Sequence, residues 1–197
     1  MTERHKLGMA LFVLSEAIFF LLLIGSYVYF RAGLNETPGT ALLPPSTNRI
    51  ANPATVLDPL RTGIFSVLLI ASSGTMWFAE RSARRRERKP LRLWLAATVV
   101  LGIVFLYGQT TEFLGLIRRN VTISRDLFGT TLYTMTGFHG FHVFGGLVLL
   151  SILLWLAWTV RANEPRAVAV DTVAIYWHFV DVVWIVIFSV VYLWPLL

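Results

Sequence analysis

Five long apolar stretches divide this 197-residue chain, and short blocks of charge separate them. A bilayer core about 30 Å thick requires about 20 helical residues, and five stretches qualify. Backbone groups within lipid must be satisfied inside the protein, and the alternating pattern of a membrane barrel is absent, so we expect helices. The predicted fold is all-α, a single membrane domain over residues 1–197. The five predicted transmembrane spans are about 7–30, 63–79, 91–117, 127–160 and 170–196.

Composition supports a membrane protein and excludes several other classes. Hydrophobic residues make up 56% of the chain and charged residues 14%, whereas a soluble domain carries about 25% charged residues. The net charge of +6 comes from basic residues beside apolar runs, which orient a membrane protein, so we expect no nucleic-acid partner. The chain has no cysteine, which excludes disulfides, cysteine-ligated zinc and iron–sulfur clusters.

The basic residues also predict an orientation. An arginine-rich block lies between the second and third spans, at residues 80–90. Placing this block in the cytoplasm puts eleven of the 17 Lys and Arg residues on the cytoplasmic side, in agreement with the positive-inside rule. We therefore expect a cytoplasmic N-terminus, a periplasmic C-terminus and a multi-pass protein of the inner (plasma) membrane.

Glu16 lies near the middle of the first predicted span. A charged side chain at a helix centre costs about 2.5–3.5 kcal/mol on insertion scales, so this carboxyl needs a proton or a polar partner. One interpretation is a proton-active or lipid-contacting carboxyl, and the other is a neutral glutamate that ties two helices together. We expect a hydrogen bond to His139 or His142, because an unpaired carboxyl at that depth is unfavourable.

Two further pairs of polar residues lie three positions apart, which places each pair on one helix face. Gln109 and Glu112 lie near the outer end of the third span, and we interpret them as interhelical hydrogen-bonding groups. His139 and His142 could ligate haem or copper. One face supplies only two ligands, however, and the neighbouring glycines favour close helix packing. We therefore prefer hydrogen-bonded packing histidines to a metal site.

The last span carries a third pair, His178 and Asp181. They are either an intrahelical polar pair that faces the bundle or a station on a proton-collecting surface. The nearby Trp177 and Trp184 are interpreted as interfacial or packing residues. The residues alone leave three classes open: a transporter or proton channel, another proton-handling protein, and an accessory subunit or structural scaffold.

Several segments in order along the chain resemble subunit III of the haem–copper respiratory oxidases, in its five-helix short form. The resemblance covers almost the whole chain and is strongest in the last segment, Tyr-Trp-His-Phe-Val-Asp-Val-Val-Trp. It also includes the Ser15-Glu16 pair and the Gln109-x-x-Glu112-aromatic pattern. The matching segments are residues 12–20, 52–60, 68–74, 109–113, 122–126, Tyr133 with 137–143, and 176–184.

The resemblance implies an accessory subunit that binds subunit I directly, in a complex that also contains subunit II. Haem and copper would belong to the partner subunits, and this chain would hold no cofactor, catalytic residue or metal ligand. In this family the subunit supports proton uptake, holds phospholipid and protects subunit I during turnover. Glu16 would correspond to the family's carbodiimide-reactive glutamate.

The long form of this family has seven helices, and the first two have no counterpart among the five predicted spans. Lipid in the long form occupies the cleft beside those two helices, so transfer of that lipid site stays open. The Ser15-Glu16 pair and the unbroken match from Trp177 to Trp184 favour a cytochrome c oxidase. The alternatives are a ubiquinol oxidase subunit and an accessory protein of nitric oxide reductase, and the electron donor is left open between cytochrome c and quinol.

Overall fold

The computed structural model describes residues 2–36, 57–120, 123, 127–159 and 166–194, and these residues form an all-helical bundle. Five of the helices are long and apolar enough to cross a membrane, which confirms the predicted fold class. The helices are α1 Thr2–Glu36, α2 Pro59–Arg84, α3 Arg88–Arg118, α4 Leu127–Thr159 and α5 Arg166–Phe188, followed by a π-helical turn, Ser189–Leu193.

Helix α2 shows why the helices extend beyond the predicted spans. It begins at Pro59, where the missing N–H is tolerated, and the Asp58 side chain accepts a hydrogen bond from the Arg61 backbone N–H at 3.1 Å. It ends with Arg81 and Arg84 in its last turn, where cations interact favourably with the helix dipole. Hydropathy therefore locates only the apolar part of the helix, whereas the caps and charged ends extend it in both directions.

Helix α5 lies at the centre of the bundle and packs against α1, α2 and α4, while α1 is the most exposed helix. Trp177 of α5 is fully buried between Gly102 of α3 and Gly146 of α4. A Cβ atom at either glycine would lie 2.8 Å from the Trp177 ring, so only glycine allows this close approach. The glycines therefore act as packing residues for a tryptophan on a neighbouring helix.

Two indole hydrogen bonds join α5 to α2. Trp177 donates to Ser72 Oγ at 2.9 Å, and Trp184 donates to Ser66 Oγ at 2.8 Å. Both tryptophans are buried in the bundle core, so they are packing residues. Their interpretation as interfacial residues is wrong. A buried indole N–H needs an acceptor, and the small serines of α2 supply one at each level.

Candidate functional site

The predicted pair of His178 and Asp181 is joined by a hydroxyl group from another helix. Ser73 of α2 lies between them: its Oγ is 3.0 Å from His178 Nδ1, and it donates a hydrogen bond to Asp181 Oδ2. On the other side of the imidazole, His178 Nε2 lies 3.2 Å from Glu80 Oε1. Glu80, His178, Ser73 and Asp181 thus form a continuous chain of hydrogen bonds, which we call the Glu80–Asp181 relay.

The relay runs from the protein surface into the bundle. The His178 side chain is 37% exposed, whereas Asp181 is only 3% exposed. Asp181 Oδ1 has no hydrogen-bond partner among the residues that the structure describes. The inner end of the relay is therefore a buried carboxyl with one oxygen available to a water molecule or to another chain.

A charged cluster lies at the outer end of the relay and joins three helices. Arg84 of α2 lies 3.3 Å from both Glu80 Oε2 and Asp171 Oδ1, so it links Glu80 of the relay to Asp171 near the start of α5. Lys6 of α1 lies 2.7 Å from Asp171 Oδ2. Glu80 and Asp171 are mostly buried, whereas Lys6 and Arg84 are more exposed. The contact with Arg84 holds the Glu80 carboxylate next to the His178 imidazole.

The direction of the bonds can be derived from the number of protons. A serine hydroxyl carries one proton, and Ser73 donates it to Asp181. Ser73 Oγ must therefore accept the proton of His178 Nδ1, which leaves Nε2 facing the Glu80 carboxyl group. The two donors next to Ser73, His178 Nδ1 and Ser73 Oγ, thus both point inward, towards Asp181.

Glu16 forms a second polar contact, with His142 on α4. Glu16 Oε2 lies 3.1 Å from His142 Nε2, so the predicted histidine partner is His142, and His139 does not take that role. His142 Nδ1 lies 2.7 Å from the Phe138 carbonyl oxygen, which can only accept, so Nδ1 carries a proton. Either a protonated Glu16 donates to a neutral ring, or a carboxylate faces an imidazolium. In both cases the pair shares one proton and has no net charge.

Gln109 and Glu112 bond to different neighbours although they share a helix face. Gln109 Nε2 donates to the Thr136 carbonyl on α4 at 2.8 Å. Glu112 accepts from Thr62 on α2 at 2.8 Å and from Tyr192 in the π-helical turn at 3.0 Å. These are the interhelical hydrogen bonds that we expected at this depth, and they connect α3 to three other elements.

Comparison with known proteins gives a match to one family. The sequence profile of cytochrome c oxidase subunit III matches residues 1–196. The chain belongs to this family. Cytochrome c oxidase subunit 3 of Synechocystis is 34% identical over 197 residues, which cover 97% of this chain and 76% of the relative. The probable subunit 3 of Mycobacterium leprae is 35% identical, with 95% of this chain and 86% of the relative covered.

A third relative extends the comparison. Cytochrome c oxidase subunit 3 of Podospora anserina is 36% identical over 193 residues, which cover 96% of this chain and 67% of the relative. Membership of the subunit III family, together with five membrane-spanning helices, makes this a multi-pass membrane protein of the respiratory chain. Subunit III is part of a complex with other oxidase subunits.

His139 in this subunit III family member does not have the hydrogen bonds that we expected. It is fully buried, and its ring stacks on Trp184 with 4.8 Å between centroids and meets Phe105 edge to face. The described residues provide no hydrogen-bond partner for Nδ1 or Nε2. Among the described residues, the His139 ring is therefore held by aromatic packing and not by hydrogen bonds. In the described part of the chain, no three His, Asp or Glu side chains converge in a way that could hold a metal ion.

Several residues of the site in this subunit III chain could not be identified from local sequence patterns. Ser73 was part of a motif used for the family resemblance, but a serine in an apolar helix does not by itself predict a role. Glu80 and Arg84 are four residues apart at a helix end, and that spacing could have predicted their contact. Lys6 and Asp171 lie on different helices, but alternating helix direction places both near the same membrane surface.

Proposed function

We propose that this chain is the accessory subunit that supports proton uptake by subunit I of a proton-pumping cytochrome c oxidase, and that it performs no catalysis itself. The observation that carries the proposal is the Glu80–Asp181 relay, which leads from an exposed imidazole to a buried carboxyl group. Its outer end lies on the side that carries the arginine-rich block, which the positive-inside rule assigns to the cytoplasm. An oxidase draws its protons from that side.

The relay suits proton transfer because each member can both receive and release a proton. An imidazole changes its charge between about pH 5 and 8 and can act as a proton shuttle. A proton that reaches His178 Nε2 allows the ring to release its Nδ1 proton to Ser73 Oγ, and the Ser73 proton then moves to Asp181. The neutral Asp181 carboxyl group can pass this proton on from its Oδ1 side, towards water or subunit I.

A structural role for the same residues is the second candidate function, and the charged cluster favours it. The contacts of Arg84 and Lys6 tie together α1, α2 and α5 at one end of the bundle. If His178 served only to anchor α5, its loss would reduce assembly of the complex. The pH dependence of each correctly assembled enzyme would then stay unchanged.

The remaining family roles are part of the same proposal. The exposed apolar side chains on all five helices provide surfaces for subunit I and for membrane phospholipid. The neutral Glu16–His142 pair lies beside this lipid-facing surface, where an unpaired charge would be costly. We infer that these contacts stabilise subunit I in the plasma membrane during turnover, with haem and copper held by the partner subunits.

Oxygen consumption per haem, measured against pH, tests the proposal. Three enzymes are compared: the complete complex, a complex with His178→Ala, and a complex without this subunit. We expect all three to transfer electrons, with turnover of the depleted complex falling most steeply at high pH, where protons are scarce. His178→Ala interrupts the relay but should show a smaller fall than removal of the whole subunit, because several groups can collect protons. Three curves of one shape, together with equal inactivation rates, would leave only the structural role.

A further inference from the structure

An ion bridge across three helices ends on the outermost member of the relay. Lys6 of α1 lies 2.7 Å from Asp171 Oδ2 on α5, and Arg84 Nε of α2 donates to Asp171 Oδ1 at 3.3 Å. Arg84 Nη2 lies 3.3 Å from the same Oδ1 atom and 3.3 Å from Glu80 Oε2. We call Lys6, Asp171 and Arg84 the three-helix bridge. It contacts the carboxyl group that faces the His178 imidazole.

Helix spacing places the bridge and the relay along one seam between α2 and α5. Asp171 and His178 are seven residues apart, which is about two turns of α5, so they share a helix face. Glu80 and Arg84 are four residues apart on α2 and also share a face. The two helices run in opposite directions, so the pair of Arg84 and Asp171 continues the line of contacts that the relay begins.

Arg84 on its own is a weak support for Glu80. Its side chain is 61% exposed, and an exposed ion pair contributes little because two flexible side chains must be ordered to form it. Asp171 adds contacts to Nε and Nη2 from another helix, which fixes the orientation of the guanidinium group. With Glu80 Oε2 held by Arg84, Oε1 is left facing His178 Nε2 at 3.2 Å.

Lys6 determines how Arg84 is shared between two acids. The Asp171 side chain is only 11% exposed, and a buried carboxylate needs a cationic partner. Lys6 supplies that partner at Oδ2, which leaves Arg84 able to contact Glu80 as well as Asp171. Without Lys6, Asp171 would draw Arg84 towards itself and away from Glu80.

The charged groups that contact the outer end of the relay come from α2 itself and, through Arg84, from α5 and α1. Helix α4 also packs against α5, but its histidines contact other residues: His142 lies against Glu16, and His139 stacks on Trp184. Asp181 lies at the inner end of the relay. The bridge is therefore the part of the bundle that acts on the contact between Glu80 and His178.

We propose that Lys6 and Asp171 are positioning residues for the relay, which hold Arg84 so that Glu80 Oε1 stays directed at His178 Nε2. This inference rests on the proposed role in proton uptake. A proton that Glu80 takes from water passes to Nε2 only while the two atoms stay within hydrogen-bond distance. Because Lys6 belongs to α1, the most exposed helix, the position of α1 controls the outer step of proton transfer.

Oxygen consumption per haem is measured against pH in assembled oxidases of equal subunit content. Lys6→Gln and Asp171→Asn each remove one charge of the bridge, and Lys6→Arg keeps the cation at a partly exposed position. We expect Lys6→Gln and Asp171→Asn to lower turnover at high pH by about two- to fivefold, the effect of one ion pair, while Lys6→Arg follows the unmodified enzyme. Lys89→Gln is the matched control, because it removes an exposed cation at the start of α3, at the same end of the bundle, and should have no effect.

A double variant separates this proposal from the proposed function. Ser73→Ala interrupts the relay further in, so adding Asp171→Asn to it should lower turnover no further. A lowered Ser73→Ala curve beside an unchanged Asp171→Asn curve would overturn the bridge and keep the relay, whereas an unchanged Ser73→Ala curve would overturn both. Equal falls for Lys6→Gln and Lys89→Gln, a low Lys6→Arg curve, or independent effects in the double variant would also overturn the proposal, because they indicate general surface charge or helix packing.

Discussion

Glu16 Oε2 lies 3.1 Å from His142 Nε2, and the opposite nitrogen of that ring donates to the Phe138 carbonyl at 2.7 Å. The pair therefore holds one shared proton at a depth where two separate charges would be unfavourable. Glu16, an ionisable residue inside a membrane helix, is therefore half of a neutral pair.

Substitution of Glu16 should identify the group that carries the shared proton. If Glu16 is protonated and His142 is neutral, Glu16→Gln keeps a donor towards Nε2 and should have little effect on stability. Glu16→Leu leaves Nε2 without a partner and should lower the free energy of unfolding by about 1–3 kcal/mol. Reversible unfolding of the chain in bicelles measures both changes. Equal losses for Gln and Leu would instead indicate an imidazolium–carboxylate pair.

A methyl group added at Gly102 should destabilise the bundle. The new Cβ would lie 2.8 Å from both Leu147 and Trp177, and these buried side chains have little room to move. Gly102→Ala should therefore lower the free energy of unfolding by about 1–3 kcal/mol. Gly115→Ala on the same helix is the control, because no atom lies within 4 Å of its Cβ position. A loss as small as that of the control would show that the packing around Trp177 adapts.

The indole hydrogen bonds between α5 and α2 should be specific for their serine partners. In a double-mutant cycle, Trp184→Phe and Ser66→Ala should show a coupling energy of about 0.5–1.5 kcal/mol, the usual net value of one hydrogen bond. The same cycle with Ser72 in place of Ser66 serves as the control, since Ser72 bonds to Trp177. Coupling of equal size in both cycles would mean that helix packing as a whole, and not the Trp184 hydrogen bond, is being measured.

Much of the fold could be predicted because segments that cross a bilayer must be long, apolar helices. Apolar length alone locates five helices, and only their ends differ, as α2 shows with its Asp58 cap and its basic last turn. The presence of polar partners for Glu16, Gln109 and Glu112 was also predictable, because polar side chains at their depth in a membrane need such partners.

Partners from other helices could not be predicted from local spacing. His139 and His142 look equivalent in sequence, yet rotation by three residues directs one ring towards Glu16 and the other towards Trp184 and Phe105. Ser73 joins His178 to Asp181 only because α2 packs against α5 in one register. That register depends on how the two helices pack, and the spacing of residues within one helix does not specify it.

The most direct test of proton supply through the relay is the Ser73→Ala oxidase. This change removes the hydroxyl that joins His178 to Asp181 and leaves every titratable group in place. Oxygen consumption per haem is measured against pH in complexes of equal subunit content, with Ser73→Thr as the variant that keeps the hydroxyl. We expect Ser73→Ala turnover to fall severalfold above about pH 8, where protons are scarce and their supply limits turnover, while Ser73→Thr follows the unmodified enzyme. A Ser73→Ala curve that coincides with the unmodified enzyme at every pH would contradict proton supply through the relay.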